Sequence, residues 1–140
     1  SQDEQRRRFR WDSITHLVNR IAEEVHARDK KLSASVFATP TLARQLVRQA
    51  WDEWDLDFVF PMIYYQFYNE PIEFVKSGTE EGLAALKGKK PLYTAQYLHD
   101  KTPEDVSNII RLVKEAGAQG MAFYDYGLLD EAKEAVLPRT

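Results

Sequence analysis

Short apolar runs recur along this chain, each followed by a stretch long enough for a helix. They are Leu32 to Ala38 (LSASVFA), Phe58 to Ile63 (FVFPMI), Leu92 to Leu98 (LYTAQYL) and Gly120 to Tyr126 (GMAFYDY). The run at 58–63 sits between polar segments and reads as a strand buried on both faces, the habit of parallel sheets. Pro61 donates no hydrogen bond, so it belongs near the carboxyl end of that strand, where the ladder is already breaking. Strands alternating with helices, in units of about 30 residues, imply parallel strands joined by right-handed crossovers. The predicted order is α-β-α-β-α-β-α-β-α. No linker or shift in composition divides residues 1–140, so the fold class is α/β in a single domain of four βα units.

The helices have their own signals. Residues 1–10, with three consecutive arginines beside Asp3 and Glu4, read as a polar lead-in. Asp12 or Ser13 is the expected cap of the first helix, and Ile14, Leu17, Val18, Ile21 and Val25 form its apolar stripe. His16 and His26 fall off that stripe and are expected to face solvent. A second helix is expected from Leu42 through Ala50 towards Trp54. Gly78 and Gly82 suggest that the third, which carries Ile72, Val75, Leu83 and Leu86, is interrupted. Thr102-Pro103-Glu104-Asp105 is a strong helix start, and Gly117 suits its left-handed stop. A last helix is expected from Leu128 to Val136.

Composition removes several function classes. A net charge of −3 offers no electrostatic case for nucleic acid or an anionic membrane. No apolar run has transmembrane length, and the first residues do not form a signal peptide, which leaves export open for a mature chain. The absence of cysteine excludes disulfides and thiolate sites. His16, His26 and His99 lack metal-ligand spacing, and no cofactor is expected. There is no phosphate-binding glycine loop and no G-x-S-x-G elbow. Asp52, Glu53 and Asp55 read as a solvated face rather than a metal cluster. The seven Tyr, seven Phe and three Trp gather near predicted strand ends, where aromatic faces can pack a core or stack on sugar rings.

Four βα units fit either an open, flavodoxin-like doubly wound sheet or half of a (β/α)8 barrel, and pattern alone does not choose. Particular residues do. Trp51, Trp54, Asp57, Phe58, Val59, Pro61, Met62 and Tyr64 resemble the sixth-strand region of the glycosyl hydrolase-like 10 family, which are glycosidase-like TIM barrels. LSASVFA resembles the fifth strand of that family and GMAFYDY its eighth. The resemblance runs from Trp11 onward. It implies that the chain supplies strands five to eight of a barrel acting on carbohydrate. The segment around strand four, where the family's catalytic acid would be sought, has no counterpart here. The chain therefore looks like the C-terminal half of a larger enzyme, inactive alone.

Ligands of parallel α/β folds bind at the carboxyl ends of the strands. Those ends offer Tyr64, Gln96, Tyr124 and Asp125 as part of a sugar cleft, with Met62 below. Asp125 is the one carboxylate within a strand run and the expected general acid or base. Glu70 and Asp100 read as solvated loop acids, and Asp57 as a structural cap at the opposite, stability end. A half-barrel has two open sheet edges and a concave face without partner strands. The expected partners are therefore a carbohydrate, and either a missing N-terminal half or a second copy in a homo-oligomer.

Overall fold

The computed structural model describes residues 1–139. Its four strands are β1 (Ser33–Phe37), β2 (Phe58–Met62), β3 (Tyr93–Tyr97) and β4 (Gly120–Tyr124). They form one sheet in the order β1-β2-β3-β4, every neighbouring pair parallel. A doubly wound sheet reverses its strand order part-way across, and this one does not. Sequential order is the arrangement of half a (β/α)8 barrel.

Strand parity divides the sheet into two faces. Ala34, Val36, Val59, Pro61, Thr94, Gln96 and Phe123 point into one of them. That face carries the core. Val36, Val59 and Leu92 pack with Trp51, Trp54, Leu56 and Leu86, and Ile14 and Val18 cover them. Val75, Ile109, Leu112 and Val113 form a second cluster, and Leu98, Val106 and Ile110 a third that takes in Phe123. All the long helices therefore lie on this side. The other face holds Ser33, Ser35, Phe58, Phe60, Met62, Tyr93, Ala95, Ala122 and Tyr124, with no helix over it. Phe58, Phe60 and Tyr93 pack against each other there, with ring centroids 5.4–6.2 Å apart.

Helix α1 (Gln2–His26) starts much earlier than its expected cap. Ser1 caps it instead, accepting from the Glu4 amide at 3.3 Å. Glutamine, glutamate and arginine are good helix formers, so nothing in the lead-in stops propagation. Ser13 sits inside the helix and donates back to the Phe9 carbonyl at 2.8 Å. Only part of the apolar stripe is covered: Leu17 and Ile21 stay exposed, at 59% and 46%.

The expected second helix is broken into pieces. A single turn, α2 (Pro40–Leu42), runs into a π turn at Ala43–Val47, and a 3₁₀ turn follows at Trp51–Glu53. Arg48 takes a left-handed conformation between them (φ 61°). Two side chains account for the break. Trp51 is fully buried and donates Nε1 to the Phe37 carbonyl at 3.0 Å, while Gln49 Oε1 accepts from the Phe37 amide at 2.9 Å. A continuous helix could not bring both to the end of β1. Asp52 is not on a solvated face either: it forms a two-point ion pair with Arg44 at 2.7 and 3.1 Å.

Helix α3 (Phe74–Leu86) is continuous through both glycines. Helix α4 (Pro103–Ala116) has the expected capping box between Thr102 and Asp105, and Gly117 ends it at φ 87°. Helix α5 (Glu131–Glu134) is a single turn, shorter than expected. Pro61 is the penultimate residue of β2. Bonds towards β3 flank it, from the Val59 amide to the Pro91 carbonyl and from the Ile63 amide to the Ala95 carbonyl, both 3.2 Å. The one Pro61 would have added is absent. The ladder thins where the sequence says it must.

At the amino ends of the strands, Asp57 works as the expected cap. Its Oδ2 accepts from the Leu32 amide at 2.7 Å. The same oxygen holds His26 Nε2 at 2.8 Å, so His26, expected simply to face solvent, is a half-exposed clamp between α1 and β2. The hydrogen bond to Asp57 raises the His26 pKa, and the Leu32 amide, then His26, hold Asp57 below the usual carboxylate range.

Candidate functional site

The carboxyl ends of β2, β3 and β4 carry one tyrosine each. Tyr64 follows β2, Tyr97 closes β3 and Tyr124 closes β4. Tyr97 and Tyr124 are direct register partners. Their ring centroids lie 5.9 Å apart in a stacked pair, and Tyr64 lies 5.7 Å from Tyr97 on its other side. Phe67 leans on both Tyr64 and Tyr97, at 5.5 and 5.9 Å, and the His99 ring stacks on Tyr97 at 5.6 Å. Five rings thus form a rim at one end of the sheet. Strand pairing positions it, because adjacent parallel strands end in register and project same-parity side chains side by side.

Burial first, and then the neighbouring phenols of Tyr124 and Tyr97, push the Tyr64 pKa up. Both influences disfavour phenolate, so the Tyr64 hydroxyl stays protonated well beyond neutral pH. None of the three tyrosine hydroxyls has a hydrogen-bond partner among the described residues. A phenol both donates and accepts, so the group can meet a ligand of mixed polarity. Below the rim is a cleft of about 520 Å³. Ser35, Phe60, Met62, Ala95 and Ala122 line its floor, and Tyr64 and Tyr124 its mouth. An apolar floor with a few convergent polar groups is the usual character of a small-molecule site.

Met62, Tyr64 and Tyr124 are therefore brought together as the sequence suggests. Gln96 is not. Parity points it to the helix layer, where it is fully buried and donates Nε2 to the Ile63 carbonyl at 2.7 Å. Tyr97, the next residue, takes the place at the rim. Phe67 and His99 also join unforeseen. Their signal was present for Tyr97 alone, through the alternation Tyr93, Ala95, Tyr97 on one face.

Asp125 directly follows Tyr124 and is partly buried. Its carboxylate makes no hydrogen bond or ion pair among the described residues. It lies between the rim residue Tyr124 and the 3₁₀ turn at Tyr126–Leu128, and it is not among the residues that line the cleft. Asp100 is 86% exposed and pairs with His99 Nδ1 at 2.8 Å, and Glu70 lies in an exposed loop. Among the described residues no group of His, Asp or Glu could hold a metal ion, and no helix is long and apolar enough to cross a membrane. Comparison with family models, with curated proteins and with solved structures finds no match to the chain.

Proposed function

We infer that the tyrosine rim binds a carbohydrate, within a glycosidase-like barrel of which this chain supplies four βα units. The observation that carries this reading is the trio Tyr64, Tyr97 and Tyr124, whose hydroxyls have no partner among the described residues, over an apolar floor. A sugar presents the matching surface: hydroxyls that give and take hydrogen bonds around a ring whose C–H faces are apolar. An anionic ligand would call for lysine or arginine, which the rim lacks. In this reading Met62 supports the ring from below, and Asp125, next to Tyr124 in sequence, is the residue proposed to exchange a proton with a bound hydroxyl or glycosidic oxygen.

Glycoside hydrolysis generally needs two carboxyl groups across the scissile bond. At this rim the chain offers one unpaired carboxylate, Asp125. Binding is therefore the expected property of the isolated chain, and hydrolysis needs a second carboxyl from outside it. The test is titration of ¹⁵N-labelled protein with a panel of neutral gluco-, xylo- and chito-oligosaccharides. Amide shifts should centre on Tyr64, Tyr97, Tyr124 and Asp125. Replacing any one tyrosine by phenylalanine should weaken binding roughly five-fold, the loss of about 1 kcal/mol for one hydrogen bond. Shifts centred on Asp57 and Gly120, at the other end of the strands, would refute the assignment. Binding of ligand with no gain in turnover under any pairing of halves would favour a non-catalytic (βα)4 binding domain.

A further inference from the structure

We propose that the uncovered face of the sheet is closed by a second copy of this chain, which pairs its β1 edge with the β4 edge of the first. Three observations point to a second copy. Below the rim the face is bulky in the middle and small at its edges. Its middle strands carry Phe58, Phe60, Met62 and Tyr93 with Ala95, while its edge strands carry Ser33, Ser35, Gly120 and Ala122, and only at their carboxyl ends do they add Phe37 and Tyr124. Two such ridges cannot flank each other, but in a two-fold ring they stand across the axis with small residues between them. Interior layers that interdigitate large with small are how a barrel core fills.

The second observation is the free flank of α1. Its Thr15 and Asn19 side touches Trp54 and Asp55, on the way to β2. The opposite side must project past the β1 edge. That side carries the exposed Leu17 and Ile21 in a groove of about 520 Å³ with Arg20 and Lys30. The third lies beyond the other edge. There Val136 and Leu137, just after α5, pack on the α4 cluster, and α5 itself exposes Glu131 and Glu134. Arg20, Lys30, Glu131 and Glu134 make no ion pair among the described residues. Joining β4 of one copy to β1 of the next sets the basic, apolar groove of one α1 beside the acidic α5 of the other. A two-fold axis along the barrel keeps all eight strands parallel and leaves no edge. Both tyrosine rims then open at the same mouth, each with its Asp125. That last consequence alone rests on the carbohydrate reading, because it provides the second carboxyl.

The experiment measures assembly without sugar, so it stands or falls apart from ligand binding. Light scattering on the purified chain should give twice its 16.3 kDa mass, with a melting temperature that rises with protein concentration. The chain has no cysteine, so an engineered pair reports cleanly. In Ser35→Cys/Ala122→Cys and in Ser33→Cys/Ala122→Cys, the two thiols of one chain are three strand spacings apart, roughly 14 Å. No disulfide spans that. Mild oxidation of at least one of them should give a covalent dimer. A concentration-independent monomer, a ladder of open oligomers, or a dimer in which neither pair cross-links would each overturn the proposal. Should the variants fail to fold, the mass and melting of the unaltered chain still decide it.

Discussion

Gly78 and Gly82 stand one turn apart on the buried face of α3, and exchanging each for alanine should have different consequences. A methyl on Gly82 would lie 2.8 Å from Leu92 Cδ1 and 3.1 Å from Trp51 Cη2. Neither neighbour can retreat. Leu92 and Trp51 are both fully buried, and the Trp51 indole is tied to the Phe37 carbonyl. With neighbours held this firmly the overpacking cost belongs in the upper part of the usual range, about 2–3 kcal/mol, and the alanine returns about 1 kcal/mol of helix propensity. The net expectation for Gly82→Ala is a loss of about 1–2 kcal/mol, or a fall in Tm of roughly 3–8 °C in a domain of this size. A methyl on Gly78 meets Ile63 Cγ2 at 3.2 Å and Thr39 Cγ2 at 3.3 Å. Those neighbours need give only a few tenths of an ångström, so Gly78→Ala should fall within about 1 kcal/mol of the unaltered protein. Urea denaturation of the three proteins side by side is the assay. A Gly82→Ala protein as stable as the parent would refute the close-approach account of that glycine.

The clamp between His26 and Asp57 should show in pH dependence. The raised His26 contributes fully below about pH 6.5 and is lost as pH rises through its folded value; the lowered Asp57 contributes above about pH 3.9 and is lost as pH falls. The penalty of Asp57→Asn, read from denaturation curves at several pH values, should therefore peak near pH 5–6, and the His26 titration midpoint by NMR should drop in that variant. Lys101 is 5% exposed, its Nζ 5.0 Å from the Tyr65 ring centre and without a hydrogen-bond partner, and burial lowers its pKa. Stranding a charge costs more than one cation–π contact returns, so Lys101→Met should raise stability by about 1 kcal/mol; a lower Tm would show that the ring contact outweighs desolvation. Gln96→Met should cost about 1–3 kcal/mol, because it strips the buried Ile63 carbonyl of its donor, while sugar affinity holds; a fall in affinity at unchanged stability would return Gln96 to the cleft.

Elements whose signals are local were legible in the sequence. The βα alternation marked four parallel strands, though not by itself their order, and the capping box at Thr102 and the stop at Gly117 lie where their residues say. Elements decided by distant partners were not. The region 43–53 has a helical pattern, yet Trp51 and Gln49 bond the end of β1 and pull the chain out of the helix. The two glycines of α3 read as breaks because their local cost is visible while their benefit, close approach to Leu92 and Ile63, is tertiary. His26 looked solvent-facing for the same reason, since its partner Asp57 is 31 positions away.

The site divides along the same line, and strand parity is what decides it. Gln96 and Tyr97 are adjacent, so they must face opposite sides of β3. A search for polar groups near strand ends selects the glutamine. The phase of the face selects the tyrosine: Phe58, Phe60, Met62 and Tyr64 run on one parity of β2, and Met62 pairs with Ala95, which places Tyr97 with them. Gln96 then belongs to the covered side, where an amide needs a reason to be buried. Pro61 supplies that reason. It removes a donor from the β2–β3 ladder, and the Gln96 side chain crosses to the Ile63 carbonyl just beyond the gap, tying the two strands where the backbone ladder is thin. The proline that weakens the centre of the sheet and the glutamine that straps it are one feature, a tie between β2 and β3 made on the covered face, away from the tyrosines.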